Sequence, residues 1–177
     1  VVDTYEYLDS TPAEEARRLA AVRRYQLVDR PAEPAYERIA YIAATILDTP
    51  IASVTMVEED RVWLAACYGL TVRQIGAEPG LCASAIGHDG VYVVRDAATD
   101  PRTVAHPLVT GELKLRFYAA APIRTRDGFR LGTVNVIDKR PRDPEHKQLR
   151  SLEYLAEIVA DELELRLMAI RGAVAGA

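Results

Sequence analysis

The sequence predicts an α+β fold, an antiparallel β-sheet carrying helices on one side, and three observations predict it. Two pairs of strand-like segments are joined by short polar turns, as hairpins are. Segments with a 3.6-residue apolar period stand before the first pair and after the second. The strands arrive in hairpins rather than alternating singly with helices, which argues against βαβ units and a parallel sheet. The chain has 177 residues, 49% hydrophobic and 27% charged, which suits one core of ordinary size and excludes both a disordered chain and two full domains.

Each element follows from its residues. Thr11, Pro12 and Glu14 form a capping box that opens a helix over 12 to 28. Its apolar stripe of Ala16, Leu19, Ala20 and Leu27 is thin and interrupted by Arg23, so it is expected on the outside of the domain or against a partner. Pro31 and Pro34 break it. Tyr36, Ile39, Ala40, Ala43, Ile46 and Leu47 then fall on one face of a core helix over 34 to 47, ended by Asp48, Thr49 and Pro50. Residues 51 to 57 and 62 to 68 read as a hairpin turned by EEDR, with Gly69 at its end.

Residues 70 to 80, with Gly76, Pro79 and Gly80, read as a loop, 82 to 88 as a short helix and 91 to 94 as a short strand. The stretch from 95 to 115 is long for a structureless connection, and such connections often cover a binding site. Residues 117 to 124 and 130 to 137 flank TRDGF, where Asp127 and Gly128 supply the positive φ of a hairpin turn. A final helix over 143 to 170 carries Leu149, Ala156, Leu163 and Ile170 seven apart, with Leu152 and Val159 between, and Arg166 breaking the intermediate series. Roughly 40 Å of helix exceeds what a compact domain needs, so its distal half is expected to leave the domain and pair with a second copy. The GAVAGA tail reads as a linker.

The charge of −4 is dispersed, which disfavours nucleic acid. No apolar run reaches the length of a membrane span, and the acidic N-terminal residues lack a leader pattern. Cys67 and Cys82 are too few for a disulfide scaffold, and three scattered histidines offer no metal spacing. A cytoplasmic compartment and no bound metal are the expectations.

The blocks PAYERIAYIAATILDTPIASVTMVEEDRVWLAACYGL, LCASAIGHDGVYVVRDAATDPRTVAHPLVTGELKLRFYAAAPIRTRDGFRLGTVNVID and HKQLRSLEYLAEIVADELELRL resemble, in that order and spacing, the GAF domain family, sensing modules related in architecture to PAS domains. Leu81 stands where similar bacterial members carry phenylalanine before the cysteine. The resemblance implies a GAF/PAS-like sheet with terminal helices on one face and a ligand pocket on the other, roofed by the short helix and long loop. It divides the chain into an N-terminal helix and connector (1–33), the GAF domain (34–168) and a C-terminal linker (169–177) to an output domain such as a diguanylate cyclase, a phosphodiesterase or a histidine kinase. No GGDEF, EAL or Walker motif occurs within the 177 residues.

The candidate pocket residues are Trp63, Cys82, Ile86, His106, Tyr118 and Asn135, with no catalytic and no metal residue. Trp63 can close a pocket and offer its N–H, or serve as a core tryptophan. Cys82 stands at a helix start, where backbone amides can lower a thiol pKa, although a lone cysteine is more often a small buried apolar residue. Ala83 follows it where bilin-binding members carry histidine. His106 offers a donor or an axial ligand. Tyr118 points inward if alternation holds, and Asn135 inside TVNVI wants a partner. Asp96, Asp100 and Arg102 are expected to hold the loop closed through its amides. The cyclic-nucleotide signature of the family is absent, and the ligand is unknown.

The leading expectation is a non-catalytic, homodimeric sensor that acts through its terminal helices on an output in the same polypeptide, without nucleic acid or membrane as partner. A cysteine-dependent redox enzyme of the free-methionine sulfoxide reductase type is the second reading, against which Cys67 looks misplaced on an early strand. A ligand-free dimerisation module is the third.

Overall fold

The computed structural model describes residues 10–76 and 80–175, so Pro79 of the expected loop and parts of both expected end segments lie outside the described residues. The elements run α1 (Pro12–Arg24), α2 (Pro34–Leu47), β1 (Ile51–Val57), β2 (Arg61–Tyr68), β3 (Gln74–Gly76), α3 (Leu81–Ile86), β4 (Tyr92–Val94), α4 (Pro107–Thr110), β5 (Phe117–Arg124), β6 (Arg130–Asp138) and α5 (His146–Ala175). All ladders are antiparallel, in the order β3-β2-β1-β6-β5-β4. The two predicted hairpins are β1–β2 and β5–β6, joined through the long-range β1·β6 ladder.

The sheet divides the interior into two apolar layers. On one face α1, α2 and α5 pack on residues such as Val54, Phe117, Val134 and Val136. On the other, α3 and the loop after β4 cover Val62, Val94, Tyr118 and Ala120. This is the α+β arrangement predicted from the hairpins.

Helix α1 departs from expectation twice. Its capping box forms, with Thr11 Oγ1 accepting from Glu14 N–H and the Glu14 carboxylate accepting from Thr11 N–H at 2.7 Å. It nevertheless ends at Arg24 rather than near 28, because Gln26 and Asp29 take positive φ and the Arg166 guanidinium takes the carbonyls of Tyr25 and Gln26. Nor does it lie on the outside. Leu19, Ala21, Val22 and Tyr25 are buried, and Arg18, inside a buried pair with Glu15, donates to the carbonyl of Val57.

Helix α2 follows its predicted span and ends on Asp48 in the left-handed region. The β5–β6 turn places only Gly128, not Asp127, at positive φ. Gly128 N–H donates to Thr125 C=O and Thr125 N–H to Phe129 C=O, the pattern of a turn followed by a glycine bulge. Two short elements were hidden in predicted loops, β3 and the single turn α4, both too brief to show a period.

Helix α5 runs through Ala175, so residues 169 to 175 of the expected linker are helical. The seven-spaced stripe read from the sequence packs on the protein's own sheet as far as Leu163. Leu152, Ala156, Val159 and Leu163 are buried there, and Leu149 packs beside them. A different stripe remains open to solvent: Tyr154, Ile158, Leu165 and Met168.

Arg24 grips Asp127 through two bonds of 2.6 and 2.7 Å, which holds the Asp127 carboxyl well below the usual carboxylate range. Arg116 does the same for Asp96. A carboxylate with a depressed folded pKa stabilises the protein above its unfolded value of about 3.9, and that contribution is lost as pH falls through the folded value. The urea midpoint is therefore expected to be flat above about pH 5 and to fall steadily below about pH 4. Arg24→Ala should make the fall shallower; an unchanged slope would show that the pair contributes nothing.

Candidate functional site

The pocket face is set by strand alternation. Ser53 and Thr55 of β1 stand opposite Asn135 and Thr133 of β6. On β2, Val62 and Leu64 face the pocket and so does Cys67, an odd-numbered residue after two even ones. The phase inverts because the β1–β2 register slips by one residue between Val54 and Thr55, leaving Ala65 unpaired, and a bulge sends the following residues to the opposite face. Trp63 therefore lies on the helix-side core, not in the pocket. Its ring is flanked by the Arg61 and Arg73 guanidinium groups at 5.5 and 5.1 Å.

Over this floor, α3, α4 and the loop residue Leu113 partly cover a cavity of about 530 Å³ that is open on one side. Cys82, His106, Tyr118 and Asn135 line it as expected from the sequence. Ile86 does not. It is buried beneath α3 and borders a separate cleft between α1 and the β5–β6 turn, because the single helical turn from Cys82 to Ile86 carries it past the cavity's end.

The polar residues of the floor satisfy one another. Ser53 Oγ donates to Asn135 Oδ1 at 2.9 Å, and Asn135 Nδ2 donates to Thr133 Oγ1 at 2.9 Å. The hydroxyls of Thr133 and Thr55 lie 2.9 Å apart, and Tyr118 Oη donates to Cys82 Sγ at 3.3 Å. Burial pushes the Cys82 thiol up despite its place at a helix start, and it pushes Tyr118 well above the usual phenol value, with Cys82 reinforcing the shift. Desolvation also raises Cys67. The helix dipole expected to activate Cys82 is thus outweighed, since one short turn offers little against full burial. His106 caps α4, with Nδ1 accepting from Leu108 N–H at 3.1 Å, which leaves the ring proton on Nε2.

The roof is tied down by its own loop. Asp96 accepts from Ala98 N–H and the Arg116 guanidinium, Asp100 from Arg102 N–H, and Arg102 reaches back to Val93 C=O. Among the described residues no cluster could hold a metal ion, and no helix is long and apolar enough to cross a membrane.

The family model for the GAF domain matches residues 31–167. This chain belongs to the GAF domain family. The GAF domain is 38% identical over 149 residues to a cyclic di-GMP phosphodiesterase of Pseudomonas aeruginosa; the match takes in 84% of this chain and 25% of that protein, so the chain spans about a quarter of its relative's length. The fold is shared with the GAF domain of PixJ from Thermosynechococcus elongatus in its blue-light-absorbing form (TM-score 0.63, 15% identity, 94% of this chain and 96% of that one). It is shared also with free methionine-R-sulfoxide reductase of Neisseria meningitidis (TM-score 0.59, 20% identity, 93% and 96%). At these identities the two structures bear on fold alone.

Sequence reasoning missed several lining residues of the GAF pocket. Ser53 and Thr55, two apart within the apolar run IASVTMV, are a readable signal of a polar floor. Cys67, Ile75 and Lys139 also line the pocket and carry no such signal, because a bulge, a three-residue strand and a strand end place them.

Proposed function

We propose that this GAF domain is a non-catalytic small-molecule sensor whose occupancy regulates a signalling output in the same polypeptide, either cyclic di-GMP turnover or a histidine kinase. The cavity between the sheet and its roof is the observation that carries this reading, and the phosphodiesterase relative, most of which lies outside the matched region, supports a fused output. It weighs against the ligand-free module, which requires a cavity closed by side chains. Cys67 and Cys82 bordering one cavity favour the redox reading, but burial raises both thiols and disfavours the thiolate such chemistry needs.

Transmission has a route in the fold. Strands β5 and β6 present Tyr118 and Asn135 to the pocket and Phe117, Val134 and Val136 to the helix-side core. A ligand that binds two strand arrangements with different affinity would bias the position of α5. We assign the dimer contact to the stripe of Tyr154, Ile158, Leu165 and Met168, spaced 4, 7 and 3 residues apart as a helix pair requires.

Native mass spectrometry of the purified protein beside a denatured run tests both parts. The expected result is a dimer carrying a reproducible non-covalent mass, and a monomer from the Ile158→Glu, Leu165→Glu variant with unchanged melting. A bare monomer from the parent protein would overturn the dimeric sensor.

A further inference from the structure

The cavity's chemistry narrows what it takes, an inference that rests on the sensor reading just given. The polar groups of its floor are already spent on one another, Ser53 on Asn135, Asn135 on Thr133 and Tyr118 on Cys82. Asn135 is 1% exposed and Ser53 4%, so these groups stiffen the floor rather than present a binding edge. A ligand with a strongly polar buried head would have to break those bonds, at the cost of stranding their partners.

Apart from Cys67, His106 and two rim charges, the rest of the described wall is largely aliphatic, including Leu64, Val72, Ile75, Leu108, Leu113 and Ile137. Among the described residues, the only carboxylate and the only ammonium that border the cavity, Glu112 and Lys139, are exposed. Among the described residues a buried phosphate, sulfonate or carboxylate would thus meet no charged partner inside, and an unpaired buried charge is expensive. The volume of about 530 Å³ is about three and a half times the roughly 150 Å³ apolar cavity that holds one benzene. We propose that the ligand is an uncharged, predominantly apolar molecule of about three rings in size, held by shape and apolar contact rather than by a charged or phosphate head.

Two dyes with one anilinonaphthalene frame test this. N-phenyl-1-naphthylamine is neutral, whereas 8-anilinonaphthalene-1-sulfonate adds a single anionic group. Titrated by fluorescence into the folded protein, the neutral dye is expected to saturate at one per chain and to bind at least about tenfold more tightly than the sulfonate. Leu113→Trp, which fills the cavity from the loop, and Leu70→Trp, which fills it from the β2 end, should each weaken the neutral dye by about tenfold or more. Whichever variant keeps the parent circular dichroism decides the point. Equal or tighter binding of the sulfonate would overturn the uncharged-ligand inference and leave the sensor reading standing. Failure of both dyes to saturate would overturn the two together.

Discussion

Gly132→Ala is expected to destabilise the protein by about 3 kcal/mol or more, among the largest effects of any single-atom-scale change here. A Cβ at this position would stand 1.8 Å from Thr55 O and 2.9 Å from Met56 Cα, both backbone atoms of the paired strand that no rotamer change can move. Gly132 sits opposite Met56 on β1 and Ile123 on β5, beside the register slip of the β5–β6 ladder. Relieving the clash would push β6 from β1 and open the sheet at its centre, where the Thr55–Thr133 hydroxyl pair lies. Urea unfolding of the variant measures it, with the free-energy change read from the midpoint. A loss under about 1 kcal/mol would mean that the strands separate easily there.

Arg166→Ala is expected to cost about 2–3 kcal/mol. The guanidinium donates to Tyr25 C=O at 2.6 Å, to Gln26 C=O at 3.0 Å and to Glu33 Oε1 at 2.6 Å, so one side chain of α5 fastens the whole α1–α2 connector. Beside it, Tyr25 Oη donates to Glu164 at 2.6 Å, and desolvation pushes that phenol up to about 12. Removing the guanidinium strands the part-buried Tyr25 carbonyl and releases the exposed Gln26 carbonyl and the Glu33 carboxylate. Arg166→Lys should recover less than half, because an ammonium cannot span three acceptors in a plane. Hydrogen exchange should speed up over residues 25 to 33 in both variants, and protection there equal to the parent's would refute the clamp.

Arg166 also shows how sequence and structure divide the explanation. In the sequence it interrupts an apolar series on a helix, which reads as a defect. In the structure it is the contact that stops α1 at Arg24, some 140 residues earlier in the chain. No local pattern encodes a partner at that separation. Of the six candidate pocket residues, Cys82, His106, Tyr118 and Asn135 were legible, since an asparagine inside a strand and a histidine before a proline in a long loop stand out against their surroundings. Trp63 and Ile86 were misplaced because the face of a strand residue and the reach of a short helix depend on neighbours.

The sequence by itself determined the longer elements, their order, the two hairpins and the family, because caps, turns and apolar periods act within a few residues. The tertiary structure alone decided which face each residue occupies. Alternation leaves a strand two equivalent choices, and the slip at Val54 and Thr55 reverses the choice midway, sending Cys67 to the pocket and Trp63 to the core. Helix α5 likewise carries two apolar stripes, and only the shape of the sheet selects which is buried and which is left exposed.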